Sequence, residues 1–285
     1  MKWQGRRQST NVDDRRATPA KGLAIGGGIS GGILVIIIVL VLTLCSGGDL
    51  SQILNSGLAL QESGSSYQVT QEEEELAQFV SVVLAETEDV WTELFAREGI
   101  EYIEPTLVLY NEYVESACGI AGAATGPFYC PADQKVYMDL SFFEELQQEY
   151  GAPGDFAIAY VVSHEVGHHI QTLLGIMEDV QNLQSRLSEV EANEINVRLE
   201  LQADYFAGVV AHYMDRMSLL DEGDIEEALN AASAVGDDRI QKQYQGYVVP
   251  DSFTHGTSEQ RQKWFFKGFK TGTIEDGDTF NTSDL

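Results

Sequence analysis

Residues 154–175 read GDFAIAYVVSHEVGHHIQTLLG, and this stretch decides the fold. Its apolar positions, Ala157, Ile158, Val161, Val162, Val166, Ile170, Leu173 and Leu174, follow the helical period. Asp155 can cap the start of the predicted helix and Gly175 can end it. At its centre stands His164-Glu165-Val166-Gly167-His168, an H-E-x-x-H pattern. Positions four apart share a helix face, so both imidazoles can reach one metal ion. Glu165, between them, can hold a metal-bound water. Taken alone, the stretch also fits a buried helix that carries two histidines by chance.

Two histidines do not complete a catalytic metal site, which usually has three protein ligands and one open position. The remaining histidines are His169, His212 and His255. His169 is rotated about 100° off the ligand face. His212 and His255 stay open as third ligands. Glu200 is the stronger candidate, in Glu200-Leu-Gln-Ala-Asp204 on a second predicted helix. Glu200 and Asp204 again share a face. The first can bind the metal, and the second can accept the other ring N–H of a ligand histidine and fix its tautomer. On its own this pair reads as an ordinary acidic face; beside the upstream motif it completes a site.

The rest of the chain frames that site. It has 285 residues, 44% of them hydrophobic, and a formal charge of −28. So acidic a body repels nucleic acid and anionic head groups, which excludes nucleic-acid binding. The basic residues concentrate at the start: Lys2, Arg6, Arg7, Arg15, Arg16 and Lys21 face only Asp13 and Asp14 within residues 1–22. Next comes LAIGGGISGGILVIIIVLVLTL, residues 23–44, without a charge and long enough to span a bilayer. The run is too long for a typical cleaved signal, and Leu44 is a poor neighbour for a lipidated Cys45, so a retained transmembrane helix over 23–45 is expected. The positive-inside rule then places the 1–22 arm in the cytoplasm and the body outside. Residues 46–71, rich in Ser, Gly and Gln, read as a linker, 72–280 as the folded domain, and 281–285 as a disordered tail.

Within the domain, a helix is predicted from Glu72 to Gly99, a strand over 102–110 and a hairpin over 127–139. A capping box of Ser141 and Glu144 predicts a short helix. A long helical tract follows over 178–217, then a helix begun by Asp224 and Glu227, and a last one capped by Thr257 and Gln260. The tail from Thr271 reads as loose. The order gives an α+β fold with a small antiparallel sheet and an active-site helix. Cys118 and Cys130 flank a loop-rich segment, and a disulfide between them would clamp it in an oxidising compartment. Residues 117–126, ACGIAGAATG, can lie along a sheet edge where an extended peptide pairs. The Gly236–Arg239 run, GDDR, reads as a helix end with local ion pairs.

Five segments carry a resemblance to a known family: SACGIAGAATGPFYCPADQKVYMDLSFF, GDFAIAYVVSHEVGHHIQTLLG, VRLELQADYFAGVVAH, AASAVGDDRIQK and VPDSFTHGTSEQRQKWF. In content and order they resemble the bacterial, membrane-anchored neutral zinc metallopeptidases, within the broader gluzincin-like group, and they cover most of residues 76–280. The resemblance implies a zincin-like fold, Zn2+ on His164, His168 and Glu200, Glu165 as catalytic base and Asp204 as the partner of a ligand histidine. Tyr205 departs from it, since many relatives carry Cys there. The expectation is a single-pass metallopeptidase of the bacterial plasma membrane, hydrolysing peptide or protein substrates on the outer side. His255 or Arg261 is expected to steady the oxyanion. A zinc-stabilised binding module without turnover, or a zinc amidase acting on a cell-wall bond, are the alternatives.

Overall fold

Thr70 and Glu73 close a reciprocal capping box and start α1, Gln71–Arg97, in the computed structural model, which describes residues 1–17 and 68–285. Among the described residues there are six strands: β1 Val12–Asp14, β2 Thr106–Tyr110, β3 Tyr113–Ser116, β4 Gly119–Gly122, β5 Phe128–Cys130 and β6 Lys135–Asp139. Four of them form one sheet in the order β1-β2-β6-β5. The sheet is mixed, where an antiparallel one was expected: β1–β2 and β2–β6 run parallel, and only β5–β6 is antiparallel. Strands buried on both faces are a mark of parallel pairing, and β2 shows it in the unbroken buried run Leu107-Val108-Leu109-Tyr110. Leu107, Leu109, Val136 and Met138 enter the main core, while Val108, Tyr110 and Tyr137 turn to a smaller core with Val114 and Cys130. The hairpin β3–β4 stands as a separate sheet, and Cys118 is bonded to Cys130, tying it to β5.

Eight α-helices occur among the described residues. After α1 they are α2 Ser141–Gln148, α3 Asp155–Leu173, α4 Ile176–Gln184, α5 Glu189–Arg216, α6 Asp224–Ala234, α7 Asp237–Gln245 and α8 Ser258–Thr271. The tract expected as one helix over 178–217 is two, because Ser188 and Glu191 form a capping box that starts α5 afresh. Thr257 and Gln260 do the same for α8. Three predicted caps go elsewhere. Ser141 is the first helical residue, and its N–H donates to Asp139 at 3.0 Å. Asp155 and Asp224 also lie inside their helices, where they bind the Met1 ammonium at 3.0 and 3.2 Å. A full opposite charge is a better partner for a carboxylate than one backbone N–H. The C-terminal stretch is packed rather than loose: Thr279 is fully buried and donates to the Arg198 carbonyl at 2.6 Å.

Residues 1–22 were expected to stand apart as an arm. Instead Met1–Arg16 and Val69–Leu285 form one unit. The expected span over 23–45 and the linker over 46–71 fall almost wholly outside the described residues, as does Cys45. Among the described residues no helix is long and apolar enough to cross a membrane.

Helix α3 lies centrally, between the sheet and the pair α5 and α6, with α1 alongside. Every residue from Ala159 to Gln171 is buried. Helices α5 and α8 cross with backbones touching. A Cβ on Gly268 would sit 2.0 Å from the Tyr205 carbonyl oxygen, and one on Gly208 2.0 Å from that of Phe265. These neighbours are backbone and cannot swing aside. Gly268→Ala is therefore expected to cost about 3 kcal/mol, seen as a clear drop in Tm. An unchanged melting curve would show that the crossing has slack.

Candidate metal centre

The close approach of α3 to α5 brings the predicted ligands together. Gly167 lies against Ala203, where a Cβ would come within 3.0 Å of the Ala203 carbonyl oxygen. His164, one turn before Gly167, and His168, next to it, then face Glu200, one turn before Ala203. Glu200 Oε2 lies 3.2 Å from His164 Nε2, and Glu200 Oε1 lies 3.5 Å from His168 Nε2. Ligand atoms of the three residues all fall within 4.8 Å of one another. Two imidazole nitrogens and a carboxylate oxygen around one point are the donor set of a zinc site, and the residues fit that ion.

Each histidine is held from behind. His164 Nδ1–H donates to Asp204 Oδ1 at 2.9 Å. Asp204 is fully buried and also accepts from the Tyr160 hydroxyl and twice from Arg261, at 2.8 and 3.0 Å. His168 Nδ1–H donates to Gln171 Oε1 at 2.9 Å. Gln171 in turn donates to the Leu199 carbonyl, next to Glu200, at 2.6 Å. Both tautomers are thereby fixed with Nε2 facing inward. One histidine is backed by an anion and the other by a neutral amide.

The site is built to hold positive charge. Burial pulls the His164 imidazole down, but Asp204 and Glu200 outweigh it and push it up to about 10. Burial likewise opposes the Glu200 carboxylate, yet His168 and His164 hold it well below the usual range. Asp204 is lowered in the same way by Arg261 and His164.

Glu165 lines the same cleft, only 8% exposed, and no hydrogen bond or ion pair reaches its carboxylate among the described residues. The cleft has a volume of about 550 Å³ and is walled by Phe128, Tyr129, Phe142, Tyr150, Val161 and Ile240 among others. His255 opens onto it with half its side chain exposed. Its Nδ1 lies 2.9 Å from Thr254 Oγ1 and 3.4 Å from Asp237 Oδ1. Asp237 Oδ2 accepts the backbone N–H groups of Thr254, His255 and Gly256, so this aspartate of the GDDR run fixes the turn that presents His255. Arg261 is taken up by Asp204, with its side chain 4% exposed. It also lines the cleft, and through Asp204 it braces a ligand histidine.

Other sequence candidates lie apart. His169 is fully buried and donates to the Ile103 carbonyl at 2.6 Å, its ring turned off the ligand face as the helical rotation requires. His212 donates to the Phe269 carbonyl at 2.9 Å. A second cluster of carboxylates, Asp155, Asp224 and Glu227, is engaged by the Met1 ammonium and by the Phe156 N–H. Residues 119–122 form β4, an edge of the two-stranded sheet, and Thr125 and Gly126 just beyond it line the cleft; the edge strand of the four-stranded sheet there is β5.

Sequence reading missed Gln171, Tyr160 and Asp237. Gln171 had a usable signal, since it stands three residues after His168 on the same face. Tyr160 stands four before His164, but buried tyrosines are common on core helices. Gln171→Ala is expected to weaken zinc binding about 10- to 100-fold, measured by chelator competition. Gln171→Glu, which keeps the acceptor, should restore most of it. Equal affinity in all three proteins would separate Gln171 from the ligands.

The chain is 48% identical over 289 residues to "Uncharacterized protein YpfJ" of Escherichia coli (strain K12), covering 99% of this chain and 100% of that protein. It is 43% identical over 195 residues to "Uncharacterized protein Rv2575" of Mycobacterium tuberculosis (strain ATCC 25618 / H37Rv), covering 65% of each. No solved structure matches at a significant level. With His164, His168 and Glu200 gathered at one point and residues 1–280 matched by the family described as "Putative neutral zinc metallopeptidase", the chain belongs to that family.

Proposed function

We propose that this protein is a zinc peptidase that hydrolyses peptide bonds in the cleft over α3. The observation that carries the reading is Glu165, a carboxylate that lines the cleft beside three converging ligands. Among the described residues no hydrogen bond holds its carboxylate, which leaves it able to take a proton from a water in the cleft. Bound zinc would polarise the scissile carbonyl and lower the pKa of the attacking water towards neutrality. Glu165 takes the proton from that water and passes it to the leaving amine. His164 and His168 stay fixed in their tautomers by Asp204 and Gln171, so each would keep its Nε2 lone pair towards the ion.

The edge strand β5 offers its free backbone groups to an extended peptide, and Phe128 and Tyr129 border the cleft beside it. His255 is positioned to donate to the oxyanion, held by Thr254 and Asp237. His255→Ala is expected to lower kcat about 10²- to 10³-fold with KM little changed. Full turnover in that variant would remove His255 from the chemistry.

The domain is proposed to work at the outer face of a bacterial plasma membrane, attached through the apolar run 23–44. The Cys118–Cys130 bond supports the oxidising side. A zinc-stabilised module without turnover leaves Glu165 unexplained. A cell-wall amidase would use the same residues and differ only in substrate. Metal analysis and casein digestion by the purified chain, with and without chelator, test the reading. One zinc per chain with chelator-sensitive cleavage supports it; a zinc-free or inert protein defeats it.

A further inference from the structure

We infer that residues 1–16 and the metal domain lie on the same side of the membrane met by the apolar run 23–44, so that this run does not carry the folded chain across in a single pass. The warrant is how the N-terminal residues are built in. Strand β1 pairs in parallel with β2, Val12 opposite Leu107 and Asp14 opposite Leu109. The ladder continues beyond the strand: Leu107 N–H donates to the Asn11 carbonyl at 2.8 Å, and Arg15 N–H to that of Leu109 at 2.7 Å. Earlier in the segment, Lys2 N–H donates to the Leu219 carbonyl at 2.8 Å, and Trp3 stacks edge-on against Phe79 with centroids 5.5 Å apart.

The charges make the stronger case. Arg6 binds Glu86 through two N–H groups, at 2.6 and 3.0 Å, and the Glu86 side chain is 2% exposed. Glu88, 3% exposed, accepts from Arg7, Ser9 and Asn11. Arg16, itself 3% exposed, donates to Asp14, to Glu74 and to the Glu73 carbonyl. Moving residues 1–16 across a bilayer would strip Glu86 and Glu88 of their cations and of the segment that covers them. Breaking one partner from a buried pair is among the costliest changes a fold can suffer. It would also leave β2 as a bare edge.

The positive-inside rule points the other way only if these basic residues are free to act on the membrane. Here Arg6 and Arg7 pair with Glu86, Glu88 and Asp89, Arg16 with Glu74 and its neighbour Asp14, and Arg15 with its neighbour Asp13. Nor does the sequence offer a second crossing to bring the chain back. Residues 45–68 contain Asp49 and Glu62 among many Ser, Gly and Gln residues, too polar to span. Arg16 donates to the Glu73 carbonyl and the Glu74 carboxylate, so these described residues stand side by side.

The test uses the full chain in membranes of living bacterial cells, in a Cys45→Ser background that serves as the blank. Single cysteines are placed at Thr10 and at Glu222, both exposed, and labelled with a membrane-impermeant maleimide before and after permeabilisation. We expect Thr10→Cys and Glu222→Cys to label under the same condition, whichever side that is. Labelling from opposite sides overturns the inference, whatever the protein's activity. A second measurement asks whether the contact exists in the folded chain. Arg6→Glu should lower Tm, and adding Glu86→Arg should recover at least half of the loss. Absence of recovery would mean that the segment is not docked there.

Discussion

Glu165→Gln is expected to lower kcat by about 10²- to 10⁴-fold while zinc per chain and Tm stay as in the parent. The amide has the shape of the carboxylate but cannot accept a proton from water. Glu165 is buried to 8% exposure and bonded to no other side chain among the described residues, so the substitution breaks no contact of the fold. His164, His168 and Glu200 keep their places, since their supports are Asp204, Gln171 and one another. KM should change little, because the lost interaction belongs to the transition state. Peptide release assays and metal analysis on the same preparation decide it. Retention of more than a tenth of the activity would remove Glu165 as the base. Loss of zinc together with activity would make it a ligand instead.

The sequence made the ligand set legible because a helix has a fixed period. His164 and His168, then Glu200 and Asp204, are spaced by four, and helical geometry alone turns each pair to one side. The same logic placed His169 off the metal, and the structure buries it against Tyr129 and Ile103. What spacing does not encode is which helices meet. The approach of α3 to α5 depends on Gly167 against Ala203, and that of α5 to α8 on Gly208 and Gly268; in the sequence these glycines look like any others. Arg261 shows the consequence. Its position in the chain suggested a donor in the cleft, yet the α5–α8 crossing delivers its guanidinium to Asp204.

Competition between partners defeated other local readings. Asp155 and Asp224 have the residue type of a helix cap, but a terminal ammonium within reach binds them more strongly than a backbone amide does. The basic residues at 6, 7, 15 and 16 look like a topology signal when counted along the chain. In space each faces a carboxylate, two of them deeply buried. Charge counting treats the chain as a string of independent residues; pairing at a distance is what it leaves out. The parallel sheet was hidden for a related reason, since β1 and β2 lie far apart in sequence and β1 is only three residues long.

Arg261→Met is expected to destabilise the fold by about 3–5 kcal/mol at neutral pH, a large share of the stability of a typical domain. Asp204 has no exposure and would keep its hydrogen bonds to Tyr160 and His164 but lose the guanidinium, the larger of the two charges that hold it ionised. Methionine fills most of the space, so the deficit reports charge more than a cavity. The dependence on pH has a definite sign. In the parent, Arg261 and His164 hold the Asp204 carboxyl below its usual value, burial opposing them. That contribution is present above the unfolded carboxyl range and is lost as pH falls through the lowered folded value. In the variant, burial without the guanidinium favours the neutral acid, so the gap between variant and parent should narrow as the solution is made acidic. Asp204→Asn added to Arg261→Met removes the buried charge itself and should recover part of the loss in Tm. Zinc affinity should not follow, because an amide is a weaker acceptor for His164 Nδ1–H. Chemical denaturation at two pH values, with chelator competition on the single and double variants, separates these effects. A deficit below 1 kcal/mol at neutral pH, or one that grows on acidification, would mean that the guanidinium does not hold Asp204 in its charged state.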